Sequence, residues 1–204
     1  DSFDGDGRLI TDAGFSSFVH SAILQNDGRI IMAGESQEAQ SRTITVIARY
    51  NTDGSLDNNF DGDGILSKSL DYSIEFANAV AVQTDGRIVV AGSCDMGETS
   101  GDFAIARYNT DGSLDNSFDV DGKLAADIDS FYDVAYAVAV QADGKIIVAG
   151  NGNTGNEIIV ALARYNSDGS IDASFDGDGK LSTDFIISPA GAIVSSVTPQ
   201  TDGK

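Results

Sequence analysis

Residues 137–150 read Ala-Val-Ala-Val-Gln-Ala-Asp-Gly-Lys-Ile-Ile-Val-Ala-Gly. Two apolar runs flank a Gln-x-Asp-Gly segment, and Asp-Gly is favoured in tight hairpin turns because both residues tolerate positive φ. Residues 79–92 carry the same pattern as Ala-Val-Ala-Val-Gln-Thr-Asp-Gly-Arg-Ile-Val-Val-Ala-Gly. The stretch therefore predicts a β-hairpin that this chain uses more than once.

Working outward from this hairpin, three motifs recur with one period. Gln-x-Asp-Gly begins at residues 25, 83, 141 and 200, and Ala-Arg-Tyr-Asn begins at residues 48, 106 and 163. Phe-Asp-x-Asp-Gly begins at residues 3, 60, 118 and 175, so its copies are 57, 58 and 57 residues apart. A fixed internal period of this size indicates tandem structural repeats.

The third repeat shows the predicted anatomy of one unit. Strands are expected at residues 123–127, 134–140, 145–150 and 158–165, with the third ended by glycine, and no segment has the sustained periodicity of a helix. The fold class is therefore all-β, with one four-stranded antiparallel sheet per unit. The predicted units are residues 1–59, 60–117 and 118–174, followed by the first half of a fourth unit at 175–204.

The strand interiors predict how these sheets pack. Residues 88–91 are apolar at successive positions, whereas a sheet with one wet face alternates between apolar and polar. Sheets covered on both faces and stacked one per repeat are the blades of a β-propeller, the architecture we expect; a β-solenoid is the main rival. About three and a half blades cannot close a ring, so the sequence is expected to be an excerpt of a larger propeller.

The motifs of residues 79–92 and 106–118, and again of 137–150 and 163–175, resemble the delta-60 repeat family of bacterial β-propeller-like proteins. The resemblance covers nearly the whole chain. It implies tandem blades, in proteins that are usually large and secreted or attached to the cell surface, and it carries no catalytic signature. One departure is that this chain has Phe-Asp-x-Asp-Gly where members often have Phe-Gly.

Charge excludes some classes of function. The chain has a formal net charge of −20 with 12 basic residues in 204, and nucleic-acid binding needs clustered Lys and Arg. Its apolar runs are too short to span a bilayer, so no membrane insertion is expected. The acids are 27 Asp against 5 Glu, and 18 of the 27 lie in the repeated turn motifs. Most of the negative charge therefore comes from turn motifs that are copied once per repeat, and not from acidic residues scattered over the surface.

The Asp-x-Asp-Gly segments are the candidate metal site. Alternate carboxylates before a glycine could converge on Ca²⁺, which takes six to eight oxygen ligands, with Asp57, Asp115 and Asp172 as possible contributors. The alternative is that these residues only form turns through side-chain bonds to the backbone. Ca²⁺ is the one cofactor that we consider. The candidate ligands are Asp4, Asp6, Asp61, Asp63, Asp119, Asp121, Asp176 and Asp178.

A second repeated set predicts a structural lock. Arg49, Arg107 and Arg164 occupy one position in the repeat, and an arginine present in every unit is expected to pair with a carboxylate rather than to bind a ligand. The carboxylates at a fixed position of the short strand are the expected partners. These are Asp12, Asp127 and Asp184.

The remaining candidates do not predict catalysis. His20 is the only histidine; its equivalents Asn78, Tyr136 and Ser195 indicate an exposed position that tolerates change. Cys94 falls in a variable loop without a partner cysteine, and is expected to be a bystander. The sequence predicts a non-enzymatic scaffold or recognition surface, with the rest of the same propeller as partner. A protein or glycan ligand would bind through the variable loops at 35–43, 93–102 and 151–157.

Overall fold

A computed structural model describes residues 3–11, 16–37, 43–68, 74–95, 101–128, 132–183 and 193–200, and these residues form twelve strands and no helix. In chain order the strands are β1 (Ser17–Leu24), β2 (Ile30–Gln37), β3 (Thr43–Tyr50), β4 (Ile65–Lys68), β5 (Ile74–Val82), β6 (Ile88–Asp95), β7 (Gly101–Tyr108), β8 (Lys123–Ala126), β9 (Tyr132–Val140), β10 (Ile146–Asn153), β11 (Ile158–Tyr165) and β12 (Lys180–Thr183).

The strands form three sheets of four antiparallel strands each. The first sheet has the order β1-β2-β3-β4, the second β5-β6-β7-β8 and the third β9-β10-β11-β12. Each first hairpin closes on its Gln-x-Asp-Gly turn; Gly144 N–H, for example, donates to the carbonyl of Gln141 at 2.9 Å. The predicted all-β class with four-stranded antiparallel sheets is confirmed.

The sheets are out of phase with the sequence units by one strand. The short strand after each Phe-Asp-x-Asp-Gly segment, which we expected to open a new unit, pairs as the fourth strand of the preceding sheet. The reason is that this segment is a tight loop: Gly64 N–H donates to Phe60 O at 2.8 Å, and Gly64 O then accepts from Arg49 N–H at 2.9 Å. The sheets therefore span residues 17–68, 74–126 and 132–183.

The half unit expected at 175–204 does not form the first half of a fourth sheet in the described residues. Residues 180–183 complete the third sheet as β12. Of the rest, residues 184–192 and 201–204 lie outside the described residues, and 193–200 form no strand. The described residues thus contain three blades, which do not close a ring.

The second sheet is covered on both faces, as the unbroken apolar runs predicted. Ile88 and Val90 belong to a buried cluster shared with the first sheet, whereas Val89 and Ala91 belong to another shared with the third sheet. Alternate side chains of one strand thus fill two separate cores, and each core also contains the phenylalanine of one Phe-Asp-x-Asp-Gly segment, Phe60 or Phe118. Burial of apolar area at these two interfaces is the main driving force for stacking.

The stacked sheets form a fan whose closed side is made by the first strands. β1 contacts β5, and β5 contacts β9. Every extensive contact between two neighbouring sheets involves β5 or β9, the first strands of the second and third sheets. In the described part of the chain, the fourth strands make no principal contact with a neighbouring sheet. The first strands therefore lie where the axis of a propeller would run. Within the same residues, no helix is long and apolar enough to cross a membrane.

Candidate functional site

The repeated arginines form ion pairs, buried in the first two repeats and part-buried in the third, with aspartates that we had considered as contributors to the metal site. Arg49, Arg107 and Arg164 each donate through Nε to an aspartate eight residues later, at 2.7–2.8 Å. These aspartates are Asp57, Asp115 and Asp172, from the Asn-x-Asp-Gly-Ser-x-Asp motif. Of the partners we expected, Asp12 and Asp184 lie outside the described residues.

Each pair is completed by a second cation and an aromatic ring. In the second repeat, Arg87 Nε lies 3.0 Å from Asp115 Oδ2, and the guanidinium of Arg107 stacks over Phe118 at 4.7 Å from the ring centre. The first and third repeats contain the same arrangement. We call the arginine, its aspartate and the phenylalanine ring a lock.

The aspartate of each lock is held in its charged form. Burial of Asp115 works to raise its pKa, but hydrogen bonds from Ser117 and the charge of Arg107 outweigh burial and hold the pKa below its usual range. The same balance, with Asn59 as the hydrogen-bond donor, lowers the pKa of Asp57. The locks are therefore charge pairs throughout the physiological range of pH.

The candidate metal loops are ordered turns in this structure. The first aspartate of each has a positive φ between 45° and 53°, and the second accepts a backbone N–H two residues later, as in the bond of 2.9 Å from Ile65 to Asp63. This is the side-chain-to-backbone bond that the turn interpretation predicts. Among the described residues, no three carboxylates of these loops converge within coordinating distance. Ca²⁺ at these loops stays a prediction.

Three other carboxylates do converge. Oxygen atoms of Asp102, Asp127 and Asp133 lie within 4.8 Å of one another where the second and third sheets meet. Burial, followed by the charges of Asp127 and Asp133, raises the pKa of Asp102, while Asp133 is fully buried and accepts the N–H of Ile128 at 2.8 Å. Asp127, one of the expected lock residues, thus belongs to this acidic cluster. Asp102 lies in β7, Asp133 lies in β9 and Asp127 directly follows β8, so no spacing in the sequence could have indicated the cluster.

Every first strand contains a β-bulge at one repeated position. The register of β1 with β2 passes from Val19↔Gly34 to Ser21↔Ala33, which leaves His20 as the extra residue. The extra residues in β5 and β9 are Asn78 and Tyr136. A bulge re-aims its side chain, and bulges are common next to binding sites.

A glycine pairs beside each bulge, and at two of the three bulges the structure shows why no side chain fits there. A Cβ on Gly150 would lie 1.9 Å from the carbonyl oxygen of Val134, and a Cβ on Gly34 would lie equally close to the carbonyl oxygen of Phe18. We expected this glycine to end the strand, but β10 continues through it to Asn153. The bulges were not predicted, because we expected each of these glycines to end its strand; the recurrence of glycine inside an apolar run was the available signal.

The three bulge residues lie on neighbouring strands of the closed side of the fan. Asn78 Nδ2 donates to the carbonyl of Ala135 at 2.9 Å, and His20 Nε2 lies 3.4 Å from Glu35 Oε2. The side chain of His20 is 36% exposed, Tyr136 is 38% exposed, and Asn78 is half-buried. The bulges thus place an imidazole, an amide and a phenol in one arc, which we call the axial arc. His20 is exposed, as we expected, but its imidazole also contacts the carboxylate of Glu35.

The variable loops are shorter than expected because the strands continue past the bulge glycine. β2, β6 and β10 end at Gln37, Asp95 and Asn153, and the following strands begin at Thr43, Gly101 and Ile158. Residues 38–42 and 96–100 of the first two loops lie outside the described residues. Cys94, expected in a loop, is a buried residue of β6.

The two ends of each blade differ in chemistry. Within the three described sheets, the Gln-x-Asp-Gly, Asn-x-Asp-Gly-Ser and Phe-Asp-x-Asp-Gly turns join strands at one end, and the variable loops join them at the other. The acidic cluster of Asp102, Asp127 and Asp133 lies at the variable end, since β7 and β9 begin there and β8 ends there. The end of constant sequence therefore supports the fold, and the variable end carries loops that differ from one blade to the next.

A fan of stacked four-stranded antiparallel sheets, one for each sequence repeat, defines a repeat protein of the β-propeller class. The family described as "Domain of unknown function (DUF5122) beta-propeller" matches three times, at residues 25–60, 83–118 and 141–175, and the chain belongs to this family. Each match runs from a Gln-x-Asp-Gly turn to the phenylalanine of a lock. No protein with a curated description matches the chain.

Proposed function

We propose that this chain is a non-enzymatic propeller module that serves as a scaffold and recognition surface in a secreted or cell-surface bacterial protein. The delta-60 resemblance of the sequence supports this location and the family matches support the scaffold. The recognition role needs a surface on which a constant framework presents side chains that differ between blades.

The axial arc is the observation that carries the recognition role. The glycine opposite each bulge and the turn motifs are constant, whereas the bulge residue is histidine, asparagine or tyrosine. If the only role of the bulge were to curve the strand, the same small residue could occupy the bulge position in every repeat. An imidazole, an amide and a phenol instead offer hydrogen bonds and a ring for stacking, which suit a glycan or a polar peptide.

The recognition role is tested by exchanging bulge residues between blades. In the variant His20→Tyr, Asn78→His, Tyr136→Asn, each position receives a residue that another copy already carries, so the fold should be retained. Wild type and variant are compared on an array of glycans and bacterial surface proteins. We expect a ligand of the wild type to lose roughly tenfold or more in affinity with the variant, which corresponds to one or two hydrogen bonds. The variant should melt within a few degrees of the wild type.

The exchange of Asp127 for asparagine is the matched control, because Asp127 is exposed and lies outside the arc. Equal binding by wild type and bulge variant would contradict the assignment to the arc. If a further variant that exchanges the 154–157 turn then lost binding, the recognition site would move to the loops. If the wild type binds nothing on the array, the recognition role is overturned and only the scaffold role of the proposal remains.

The second proposal is that Ca²⁺ stabilises this module, as the acidic loops predict. Millimolar Ca²⁺ should raise the melting temperature by several degrees, because a ligand that binds only the folded state stabilises it. Asp61→Asn with Asp63→Asn tests the loops, and Asp102→Asn tests the acidic cluster. The variant that abolishes the shift identifies the site. An equal rise with NaCl of the same ionic strength would indicate general screening, and no rise would contradict Ca²⁺ binding.

The alternative function is a module that completes an enzyme's active site together with other blades. Its test is turnover: an intact protein that processed a substrate, and lost that activity on exchange of the bulge residues, would overturn the non-enzymatic assignment.

A further inference from the structure

The first two locks do not act within one repeat alone, because each also holds the next repeat. Arg49 donates through Nη1 to the carbonyl of Thr110, and Arg107 donates in the same way to the carbonyl of Ser167. Thr110 and Ser167 are the second residues of Asn-x-Asp-Gly-Ser turns in the following blade. Each lock thus grips the backbone of a turn that lies about 60 residues further along the chain.

The loop that follows each lock phenylalanine makes a second bond to the same turn. Asp61 N–H donates to the carbonyl of Asp111 at 2.8 Å, and Asp119 N–H donates to that of Asp168 at 2.6 Å. The positive φ of Asp61 and Asp119 is part of this arrangement, since it recurs with the bond. Two adjacent carbonyls of the turn are therefore bound by two fixed donors of the preceding repeat.

The glycine of the turn makes this approach possible. A Cβ on Gly112 would lie 3.0 Å from the nitrogen of Asp61, and a Cβ on Gly169 would lie 2.6 Å from that of Asp119. Both glycines also have a positive φ, of 88° and 93°. The lock consequently selects a turn with two free carbonyls followed by glycine, which is what Asn-x-Asp-Gly-Ser supplies.

The third lock is fully assembled but holds no turn. Arg164 pairs with Asp172 at 2.7 Å and stacks over Phe175 at 4.8 Å. Among the described residues, no carbonyl accepts from Arg164 Nη1 or from Asp176 N–H. The side chain of Arg164 is 17% exposed against 4% for Arg49 and Arg107, and Phe175 is half-buried where its two equivalents are fully buried.

We propose that the lock formed by Arg164, Asp172 and Phe175, together with the N–H of Asp176, is a docking site for the Asn-x-Asp-Gly-Ser turn of a further repeat of this family. The site continues an interface that the chain already makes twice with the same atoms. The guanidinium of Arg164 is already oriented in the unoccupied site, because Asp172 pairs with it and the ring of Phe175 stacks against it. The inference does not depend on the recognition role proposed above.

A second copy of this chain is a poorer occupant, because its turns are already engaged. The turns at 109–113 and 166–170 are held by the first two locks. The turn at 51–55 is covered by the chain's own start, since Asp4 N–H donates to the carbonyl of Asp53 at 2.7 Å and Gly54 packs against Phe3. An additional repeat, with an uncovered turn, fits the site without displacing anything.

The experiment supplies such a repeat to the whole chain. Residues 200–204 match the Gln-x-Asp-Gly motif of residues 141–145, so a second copy of residues 146–183 joined after Lys204 continues the repeat in register. The readouts are amide hydrogen exchange at Asp176 and the melting temperature. The amides of Asp61 and Asp119 serve as internal references for an occupied lock.

Docking predicts that exchange at Asp176 slows by at least tenfold in the extended chain, towards the rate at Asp119. It also predicts that Arg164→Gln lowers the melting temperature by roughly 5 °C more in the extended chain than in the parent, which is the shift expected for one charged hydrogen bond in a chain of this size. The matched control is an extended chain in which the glycine of the added turn is replaced by valine. It should leave Asp176 unprotected.

Three results would overturn the proposal. One is an extended chain with a folded fourth sheet in which Asp176 exchanges as fast as in the parent. Another is equal protection of Asp176 by the valine variant, which would show that the turn is not what occupies the site. The last is an added repeat whose strand amides stay unprotected, since the lock would then have failed to hold the turn.

Discussion

Replacing Gly150 with alanine should destabilise the third sheet by about 3 kcal/mol or more, among the largest effects of any single substitution in this chain. The added Cβ would lie 1.9 Å from the carbonyl oxygen of Val134, and that oxygen belongs to the backbone of the neighbouring strand. A flexible side chain could turn away from such a contact, whereas β9 cannot move without losing its bulge at Tyr136. Urea denaturation, followed by the hydrogen exchange of β9 and β10 amides, measures the loss.

The matched control is Gly177→Ala. Gly177 has a φ of 97°, but a Cβ there would meet nothing within 4 Å. Only the cost of the left-handed conformation remains, which is about 1–2 kcal/mol. If the two alanine variants lost similar free energies of unfolding, the close approach at Gly150 would not be the cause. The exchange data should also confine the effect of Gly150→Ala to the third sheet and its interface, because repeat proteins propagate changes mainly to nearest neighbours.

Replacing Arg107 with glutamine should cost about 3 kcal/mol at neutral pH. The substitution removes the cation that lies 2.7 Å from Asp115 and leaves a carboxylate buried with Arg87 as its remaining ion pair. Breaking one side of a buried ion pair typically costs about 3–5 kcal/mol, and the contact with Arg87 places the expected value at the lower end. The same change removes the bond to the Ser167 carbonyl, so it also loosens the third blade. Thermal and urea unfolding at neutral pH measure this loss.

The pH dependence separates charge pairing from simple loss of packing. The pKa of Asp115 is lower in the folded protein than in the unfolded chain, so the lock stabilises the fold above the unfolded pKa. That stability is lost as the pH falls through the lower, folded pKa. The difference between wild type and Arg107→Gln should therefore shrink in acid. A difference that stayed constant from about pH 7 to about pH 2 would contradict the charge pair. Asp115→Asn in the Arg107→Gln background should restore part of the stability, because it removes the unpaired charge.

Much of the fold is predictable from local sequence. The Gln-x-Asp-Gly turn at residues 141–144 defines a hairpin because turn chemistry acts over four residues, and β9 and β10 lie on its two sides. The apolar run at 88–91 predicts burial on both faces, and the structure divides it between two cores. The presence of one arginine in every unit predicted a role in the framework, and all three arginines form ion pairs.

The partners of these residues were not predictable in the same way. The position of Asp115 is aspartate in every unit, whereas the position of Asp127 is Ser69 in the second unit. That difference was a weak signal for Asp115, but spacing alone could not show which carboxylate reaches Arg107. The choice is made by the isolated bridge between Tyr108 and Leu114, which folds the motif back and brings Asp115 to Arg107. The phase of the sheets was misjudged because a short strand that follows a tight loop can pair with the sheet before it or with the sheet after it.

What the sequence by itself determined is the class of protein: a repeat of turns and apolar strands, four to a sheet and one sheet to a period. These features follow from φ preferences and apolar patterning, which act within a few residues of the chain. The tertiary structure alone decided the axial arc of bulge residues, the acidic cluster between two sheets, the lock partners and the grip of each lock on the next blade. All four depend on register between strands or on packing between sheets, and such long-range pairings are fixed only when the whole fold brings distant segments together.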